Sequence, residues 1–284
     1  MSTQVAFVTG ASRGIGKACA VYLAKAGYDV AVTARTVHEG EEREHSSTVK
    51  KSDTRPLPGS LDATVALIEA GGSAARAVPA DLLDPPSLAA AVETVLGEWG
   101  RIDVLVNNGR YIGPGHMDRF LDTPLELLDA HLQANVMSPL LLTQLVLPQM
   151  VERGHGFVVD ITSAVAWMDP AAPPGEGGWG LGYSMSKAAL HRLVPSLHAE
   201  LHGDGIVLMN IDPGFIATER MAVDMADFGF DADAGAPPDV IGAVVAWLTT
   251  DPAGLDWAGK VVPAQQLCAD LGLLPGFSPV PNPA

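Results

Sequence analysis

The chain has 284 residues, of which 48% are hydrophobic, and carries a formal net charge of −16 at pH 7. This length and composition fit one large or two small globular domains, and a single α/β domain is the simpler interpretation. The acidic balance argues against nucleic acid as a partner, because a phosphate backbone is bound by a broad basic surface.

Cysteine content and hydropathy indicate a cytoplasmic, soluble protein. Cys19 and Cys268 are too few for a disulfide framework, which fits a reducing compartment. No uninterrupted apolar run approaches the roughly 20 residues that span a bilayer, so no membrane partner is expected.

Short β-branched runs alternate with longer helical patterns along the chain. Strands are predicted at 4–9, 28–34, 75–79, 102–107, 155–161, 205–211 and 259–263. Helices are predicted at 14–26, 60–71, 85–99, 124–153, 181–202 and 236–249. With right-handed crossovers, this alternation predicts a doubly wound parallel sheet of about seven strands with helices on both faces. Residues 1–264 would form one domain and residues 265–284 a C-terminal tail.

A glycine-rich turn separates the first predicted strand from the first predicted helix. Gly10, Gly14 and Gly16 allow a tight turn and close approach of the backbone to a ligand. A pyrophosphate binds at such a strand-to-helix turn. A phosphate loop of the Walker type does not fit, because Ala11 and Ala18 replace its required glycine and hydroxyl residues. The turn therefore predicts a dinucleotide cradle.

A second motif, Tyr183 and Lys187, lies far downstream. The two residues are four apart on one predicted helix and therefore share a face. A phenol is a poor base at neutral pH, but a neighbouring ammonium favours its phenolate form. Ser163, at the end of the fifth predicted strand, can bond the same substrate oxygen. A Tyr-x-x-x-Lys pair alone is usually a solvated helix pair; with the glycine turn it predicts proton transfer to a hydroxyl or carbonyl.

The spacing Gly-x-x-x-Gly-x-Gly, with the Tyr183 motif, resembles the short-chain dehydrogenase/reductase family, over a stretch from Val5 to about Val262. The resemblance implies a Rossmann fold and a catalytic tetrad of Asn135, Ser163, Tyr183 and Lys187. It further implies that Lys187 binds ribose hydroxyls, that Asn135 holds a water, and that the cofactor supplies the hydride.

The resemblance also implies the cofactor contacts and the assembly. Asp81 would hold the adenine, and a homodimer or homotetramer would form through the helices at 124–153 and 181–202. The nicotinamide segment would include Pro213, Gly214 and Thr218. The full set of implied cofactor contacts is Gly10, Ser12, Arg13, Gly14, Ile15, Gly16, Arg35, Asp81, Leu82, Asn108, Gly109, Tyr183, Lys187, Pro213, Gly214, Ile216 and Thr218.

The end of the second predicted strand favours NADP(H) as the cofactor. A carboxylate there would bond the ribose 2′-hydroxyl of NAD, but Ala34 offers none and Arg35 follows. Arg13 is a second candidate for the 2′-phosphate. Residues 1–55 hold eight of the 17 Lys and Arg residues against six acids, so an anion would be drawn to this part of the chain. NAD(H) remains possible if Arg35 is only a solvated loop residue.

Three features depart from the family pattern. Loop 37–60 is either mobile and without chemistry, or binds cofactor through Arg43, Lys50, Lys51 or Arg55. Arg110 stands where the related motif Asn-Asn-Ala-Gly has its final glycine, in the sequence Asn107-Asn108-Gly109-Arg110. The insertion 169–180 spaces Ser163 and Tyr183 by 20 residues and can form a wall of the pocket.

Apolar residues near this insertion and after Pro213-Gly214 suggest the substrate class. Trp167, Trp179 and Phe215 are the candidate substrate contacts, and ordinary packing under a lid is the alternative. The wider apolar set also includes Met168, Ile216, Met221, Met225, Phe228 and Phe230. His191, His198 and His202 share a helical side, but no carboxylate or cysteine joins them, so no metal is expected.

These observations predict an NADP(H)-dependent oxidoreductase that interconverts a ketone and a secondary alcohol, on a lipophilic substrate, with Tyr183 as the acid/base. Two alternatives remain open at this point. One is an NAD-linked alcohol dehydrogenase. The other is a non-catalytic nucleotide-sensing or scaffold protein of the same fold, against which the intact Ser163, Tyr183 and Lys187 argue.

Overall fold

Seven parallel strands form one sheet with the order β3-β2-β1-β4-β5-β6-β7 in the computed structural model, which describes residues 3–224, 231 and 234–281. The strands are β1 Val5–Thr9, β2 Asp29–Thr33, β3 Ala75–Ala77, β4 Val104–Asn107, β5 Gly156–Ile161, β6 Ile206–Asp212 and β7 Val261–Pro263. The prediction of a doubly wound parallel sheet is confirmed. Its strands are readable from sequence because both faces are covered, which makes each a nearly continuous apolar run.

Nine α-helices lie in the described part of the chain. They are α1 Gly14–Lys25, α2 Leu61–Ala70, α3 Pro85–Trp99, α4 Leu125–Leu132, α5 Ser138–Arg153, α6 Leu181–Leu201, α7 Glu219–Asp224, α8 Asp239–Thr250 and α9 Ala264–Asp270. The helix predicted at 124–153 consists of α4 and α5 joined by a π-helical turn, Gln133–Met137. The short helices α7 and α9 have no counterpart in the predicted elements.

Side chains of β1 alternate between the two faces of the sheet and so enter two separate cores. Ala6 and Val8 pack in the core that includes residues of α1 and α8. Val5 and Phe7 pack in the core that includes residues of α3 and α5. Period-two alternation in a strand covered on both faces produces this division.

The segment predicted as a C-terminal tail begins with a helix that packs into the first core. Leu267 and Cys268 of α9 belong to that core. Gln265 donates to the carbonyl oxygens of Pro213 and Phe215, at 3.1 Å each, and accepts from the Val280 N–H at 2.7 Å. The start of the tail is therefore bound to its own chain, beside the Pro213-Gly214 segment. The apolar spacing of Ala264, Leu267 and Cys268 is the helical signal at this point.

One helical segment, Leu125–Arg153, is long and apolar enough to cross a membrane by length and composition. This segment is not an uninterrupted apolar run, because polar residues such as Asp129 and Asn135 lie within it. Leu142, Val146 and Met150 from this segment are fully buried and pack in the second core. Buried core helices and membrane spans share this length and composition.

The sheet order places a crevice between β1 and β4. From β1 the chain proceeds to β2 on one side, whereas β4 leads to β5 on the other. The carboxyl ends of these two strands, at Thr9 and Asn107, therefore meet at a topological switch point. Ligands of doubly wound sheets bind in this crevice.

Candidate active site

The glycine turn after β1 has room for hydrogen atoms only. A Cβ on Gly16 would lie 2.3 Å from the carbonyl oxygen of Gly10, and a Cβ on Gly10 would lie 2.8 Å from Nδ2 of Asn108. Gly10 and Gly14 also adopt φ of 64° and 54°, which favours glycine. The turn brings the chain into the N-terminus of α1 with no side chain at Gly10, Gly14 or Gly16 to hold a ligand away from the backbone. This geometry fits the pyrophosphate cradle that the sequence predicts.

Asn108 ties the glycine turn to the end of β4. Its Nδ2 donates to the carbonyl oxygen of Thr9 at 2.9 Å. The hydroxyl of Thr9 accepts from the N–H groups of Asn108 and Gly109, at 2.9 and 2.8 Å. The two strand ends are thus held at a fixed separation, which pre-organises the crevice. Thr9 was not among the predicted site residues.

The crevice opens into a cleft that contains both sequence motifs. Tyr183 and Lys187 line it together with Gly10 and Gly14. Its other lining residues from the predicted cofactor set are Ser12, Arg13, Ile15, Arg35, Asp81, Leu82, Asn108, Gly109, Pro213 and Thr218. Fold and loop geometry therefore bring residues from opposite halves of the chain to one site.

Among the charged side chains in the described lining of the cleft, basic ones outnumber acidic ones, although the chain as a whole is acidic. Its basic side chains are Arg13, Arg35, Arg43, Arg55, Arg110, Lys187 and Arg220. The carboxylates in the lining are Glu41, Glu44 and Asp81. A basic cleft in a chain of net charge −16 attracts an anionic ligand to this position.

Loop 37–60, which we call the strap, forms part of the cleft wall. Glu44 organises its centre, because Oε1 accepts from the N–H groups of Ser46 and Asp53 while Oε2 binds the Ser52 hydroxyl. Burial works to raise the pKa of Glu44, but these hydrogen bonds lower it to about 2. Arg43 and Arg55 line the cleft. The other two basic candidates, Lys50 and Lys51, are exposed and are absent from the described lining.

Two arginines outside the strap attach it to neighbouring segments. Arg13 donates from Nε to the Pro58 carbonyl at 2.8 Å and from Nη2 to the Leu57 and Gly59 carbonyls at 3.1 and 2.6 Å. Arg220, which is 7% exposed, donates from Nη2 to the His45 carbonyl at 3.1 Å. The glycine turn and the segment after Pro213 are therefore both connected to the strap.

Lys187 is almost fully buried at the base of the cleft. Its Nζ donates to the carbonyl oxygen of Ile161 at 2.6 Å, which places α6 against the end of β5. Burial and the nearby Arg110 guanidinium lower the pKa of Lys187 to about 7, and Asp160 opposes this change. The charge of this side chain is therefore sensitive to pH near neutrality.

The ring of Tyr183, one helical turn before Lys187, is surrounded by other rings and a cation. His116 lies edge-on with its centroid 4.5 Å away, and Trp179 lies 5.4 Å away. The Arg110 guanidinium carbon is 5.5 Å from the Tyr183 centroid. Burial, followed by Arg110 and other cations, holds the pKa of His116 well below its usual value, so this imidazole is neutral. These contacts pack the Tyr183 ring between aromatic and cationic neighbours.

Asn135 lies in the π-helical turn between α4 and α5. Its Oδ1 accepts from the Tyr111 N–H at 2.5 Å, and its Nδ2 donates to the Ser186 hydroxyl at 2.8 Å. Asn135 therefore ties α6 to the segment after β4 from beneath the cleft. Such π turns are frequent at functional sites. The family resemblance implied Asn135, but the sequence gave no sign of the turn.

Ser163 follows β5 and begins a short 3₁₀ turn, Ala164–Ala166, that packs against α6. Its Oγ accepts from the Val165 N–H at 3.5 Å. This places Ser163 at the same end of the sheet as Lys187. Ser163 is not among the described residues that line the cleft.

The predicted substrate residues differ in their surroundings. Trp179 contacts Tyr183 directly. Trp167 is 48% exposed and packs against His191, with centroids 4.8 Å apart. Phe215 is half-buried beside Gln265. Met225, Phe228 and Phe230 lie outside the described residues.

The sequence model of the short chain dehydrogenase family matches residues 4–57 and 55–227 of the chain. This covers most of its length and includes the glycine turn and the Tyr183 motif. The chain belongs to the short-chain dehydrogenase/reductase family. It is accordingly an oxidoreductase that uses NAD or NADP on alcohol or ketone groups.

Two curated short-chain dehydrogenase relatives match nearly the whole chain. The 3-oxoacyl-[acyl-carrier-protein] reductase of Synechocystis sp. is 34% identical over 264 residues, covering 92% of this chain and 94% of the relative. The cyclohexanol dehydrogenase of Rhodococcus sp. is 30% identical over 258 residues, covering 87% and 90%. By contrast, the chain spans 56% of human dehydrogenase/reductase SDR family member 7, to which it is 34% identical over 219 residues.

Solved short-chain dehydrogenases share the fold. A metagenomic short-chain oxidoreductase in complex with NADP is 30% identical, with a TM-score of 0.65, and the match covers 88% of this chain and 92% of that one. A 7α-hydroxysteroid dehydrogenase complexed with NADH and 7-oxo glycochenodeoxycholic acid is 25% identical, with a TM-score of 0.72 and 92% coverage of both chains. The family thus includes structures with either dinucleotide.

Proposed function

We propose that this protein is an NADP(H)-dependent oxidoreductase that interconverts a ketone and a secondary alcohol on a lipophilic substrate. The observation that carries the proposal is that Tyr183 and Lys187 line the same basic cleft as the glycine turn. Residues that bind a dinucleotide and a residue that can move a proton thus face one space. Cytoplasmic location and assembly as a homodimer or homotetramer stay predictions.

The chemistry of the chain's own residues is proton transfer and orientation. A bound nicotinamide dinucleotide would supply or accept the hydride. Tyr183 exchanges its phenolic proton with the substrate oxygen, and the Ser163 hydroxyl bonds the same oxygen. Lys187, one turn after Tyr183, provides positive charge beside the reacting oxygen and carries the role of ribose ligand. Asn135 supports this helix through Ser186.

Cofactor preference is proposed from the arrangement around the end of β2. Ala34 and Arg35 both line the cleft, and no carboxylate occupies the position of Ala34. Arg13 bonds three strap carbonyls, and Arg43 and Arg55 pair with Glu41 and Asp53, so we assign the 2′-phosphate to Arg35. A charge-assisted hydrogen bond to a phosphate contributes roughly 1.5–3 kcal/mol, or about 10- to 150-fold in affinity.

Fluorescence titration with NADPH and NADH tests this preference. We expect the wild-type protein to bind NADPH more tightly, and Arg35→Ala to lose at least about tenfold of NADPH affinity while NADH affinity is unchanged. Arg76→Ala is the matched control, because Arg76 is an exposed arginine on β3 that pairs with Glu98. Equal loss for both dinucleotides, or a preference for NADH, would favour the NAD-linked alternative.

A lipophilic substrate is proposed from the apolar surroundings of Tyr183. Trp179 lies against its ring, and Trp167 and Met168 present exposed apolar surface after β5. One relative is named for the cyclic alcohol cyclohexanol, and one solved structure holds 7-oxo glycochenodeoxycholic acid. Both molecules contain apolar rings, which supports this proposal.

The ratio of kcat/KM for a bulky cyclic ketone to that for a small polar ketone measures the substrate preference. Trp179→Ala should lower this ratio, because part of the apolar wall is lost. Trp99→Ala, at the end of α3, is the control for removal of a half-buried tryptophan and should leave the ratio unchanged. A wild-type enzyme with equal activity on both ketones would refute the proposed substrate class.

A further inference from the structure

A carboxyl group that the proposed reaction does not use lies beneath the cleft. Asp160, in β5, is 0% exposed, and its Oδ1 accepts from Nδ2 of Asn107 at 2.9 Å. Its Oδ2 is buried and has no hydrogen-bond partner. Leaving a buried carboxylate oxygen without a donor is costly, so this atom needs an explanation.

A second buried carboxylate shows what a fully paired one looks like in this protein. Asp103, just before β4, is also 0% exposed. It accepts from Arg101 at 2.7 Å, from Arg153 at 3.4 Å and from the Val5 N–H at 2.8 Å. Asp103 is therefore held as an anion by two guanidinium groups. Asp160 has no such cation bonded to it among the described residues.

The side chains beside Asp160 on the neighbouring strands also have acceptor oxygens that receive no hydrogen bond. Asn107 on β4 and Asn210 on β6 are its register partners, so the three side chains form a row on one face. Oδ1 of Asn107 and Oδ1 of Asn210 are also buried without partners. The amides already donate, from Asn107 to Asp160 and from Asn210 to the His191 carbonyl. The row thus has three unpaired acceptor oxygens.

A proton on Asp160 removes two of these three unpaired acceptors, because Oδ2 becomes a donor and one amide oxygen gains a partner. A protonated carboxyl has one O–H donor, and each flanking amide offers an unpaired oxygen as acceptor. An acid paired with Asn107 would then donate through Oδ2 and accept through Oδ1. Burial supports the neutral form, since it raises the pKa of Asp160 to about 7 against the lowering effects of Asn107 and Lys187.

Asp160 lies next to the point where α6, the helix of Tyr183 and Lys187, contacts β5. Lys187 donates to the carbonyl oxygen of Ile161, the residue that follows Asp160. Among the described residues, Arg110, after β4, also acts on the pKa of Lys187, and the neutral His116 and the phenol of Tyr183 are titratable groups in its surroundings. Asp160 opposes the loss of the Lys187 proton, because its negative charge raises the pKa of Lys187.

We propose that Asp160 is a positioning residue that holds a proton in the resting protein and, on losing it, keeps Lys187 charged beside Tyr183. This inference rests on the proposed function, because it assumes that the reaction needs the Lys187 ammonium. Asp160 touches neither substrate nor cofactor in this account. It sets the pH range over which Lys187 can act.

Asp160→Asn tests the inference, because the amide keeps the shape of the neutral acid and cannot become an anion. In this variant Lys187 loses its proton at lower pH, so the alkaline limb of kcat/KM for ketone reduction should move down by about one pH unit. Asp103→Asn is the matched control. It removes a buried carboxylate that has its own cations, and should lower stability without moving the pH profile.

Stability against pH supplies a readout that does not depend on turnover. The folded protein holds the Asp160 proton up to about pH 7, whereas the unfolded chain releases it near the ordinary aspartate pKa of 3.8. The free energy of unfolding of the wild type should therefore fall, relative to that of Asp160→Asn, as pH rises between these values. An infrared band of a protonated carboxyl at neutral pH should also disappear in Asp160→Asn.

The possible results separate the two proposals. An unchanged pH profile in Asp160→Asn, or a stability difference that is constant between about pH 4 and 7, overturns the role of Asp160. A loss of stability equal to that of Asp103→Asn at every pH would also overturn it. If the wild-type enzyme turns over no ketone or alcohol, the proposed function fails, and the infrared band and stability difference still decide whether Asp160 holds a proton.

Discussion

The carboxylate of Glu219 accepts a hydrogen bond from the backbone N–H of Gly14, with 3.0 Å between Oε2 and N. Gly14 is the first residue of α1, whose N-terminus carries partial positive charge. No acidic residue lies in the first turn of α1 itself, so Glu219 supplies an anion from α7. Glu219 therefore occupies the Gly14 N–H, a donor that belongs to the predicted pyrophosphate cradle.

Replacing Glu219 by alanine should tighten NADPH binding. The carboxylate and a pyrophosphate oxygen compete for the same end of α1, and removing one anion leaves the site to the other. We expect an affinity gain of about fivefold, or roughly 1 kcal/mol, measured by fluorescence titration. Glu176→Ala, which removes an exposed partner of Arg119, is the control. Weaker binding in Glu219→Ala would show that this carboxylate helps to hold the cofactor.

Replacing Arg13 by alanine should loosen the strap. Its guanidinium bonds the carbonyl oxygens of Leu57, Pro58 and Gly59, so the variant leaves this end of the strap attached by fewer contacts. Limited proteolysis should then cut within residues 37–60 faster than in the wild type. Arg119→Ala serves as the control for loss of an exposed arginine. Equal cleavage rates would mean that Arg13 does not anchor the strap.

Acid should loosen the same loop. Hydrogen bonds hold the pKa of Glu44 at about 2, below the ordinary glutamate value of 4.5. A depressed carboxyl pKa gives stability that is complete above the unfolded pKa and is lost as pH falls towards the folded one. Once exchange rates are corrected for the intrinsic effect of pH, the protection of strap amides against hydrogen exchange should therefore fall between about pH 4.5 and about 2. In Glu44→Gln this pH dependence should be reduced, and an unaltered dependence would point to other carboxyl groups.

Two Gly-to-Ala substitutions should differ in effect: one should abolish dinucleotide binding, and the other should only raise stability. A Cβ at Gly16 would lie 2.3 Å from the Gly10 carbonyl oxygen, so Gly16→Ala must shift the turn and should abolish dinucleotide binding. Gly97 lies in α3, where a Cβ would have no other atom within 4 Å outside its own helical turn. Gly97→Ala should raise the free energy of unfolding by about 0.5–1 kcal/mol and leave binding unchanged. Calorimetry and NADPH titration measure the two effects.

Much of the fold could be predicted because it depends on local patterns. Apolar runs such as Val158-Val159 mark strands covered on both faces, and the glycine spacing marks the first turn. The order of the strap could not be predicted in this way. Glu44 and Arg13 hold it through side-chain bonds to backbone groups, and such bonds leave no periodic signal in a polar sequence.

The candidate site shows the same division. Tyr183 and Lys187 could be named because their spacing on a helix is a local feature. The surroundings of Tyr183, including His116 and Trp179, depend on loops that meet only in the folded chain. Asp160 did carry a signal, since it is a charged residue within the apolar strand β5, but its partners Asn107 and Asn210 come from other strands.

The most direct test of the account is the rate of ketone reduction by NADPH in the wild-type enzyme and in Tyr183→Phe, with NADPH affinity measured for both. The account predicts that kcat falls by about 10²-fold or more while NADPH affinity is retained, because only the proton-transferring hydroxyl is removed. Substantial turnover by Tyr183→Phe would contradict the assignment of Tyr183 as the acid/base.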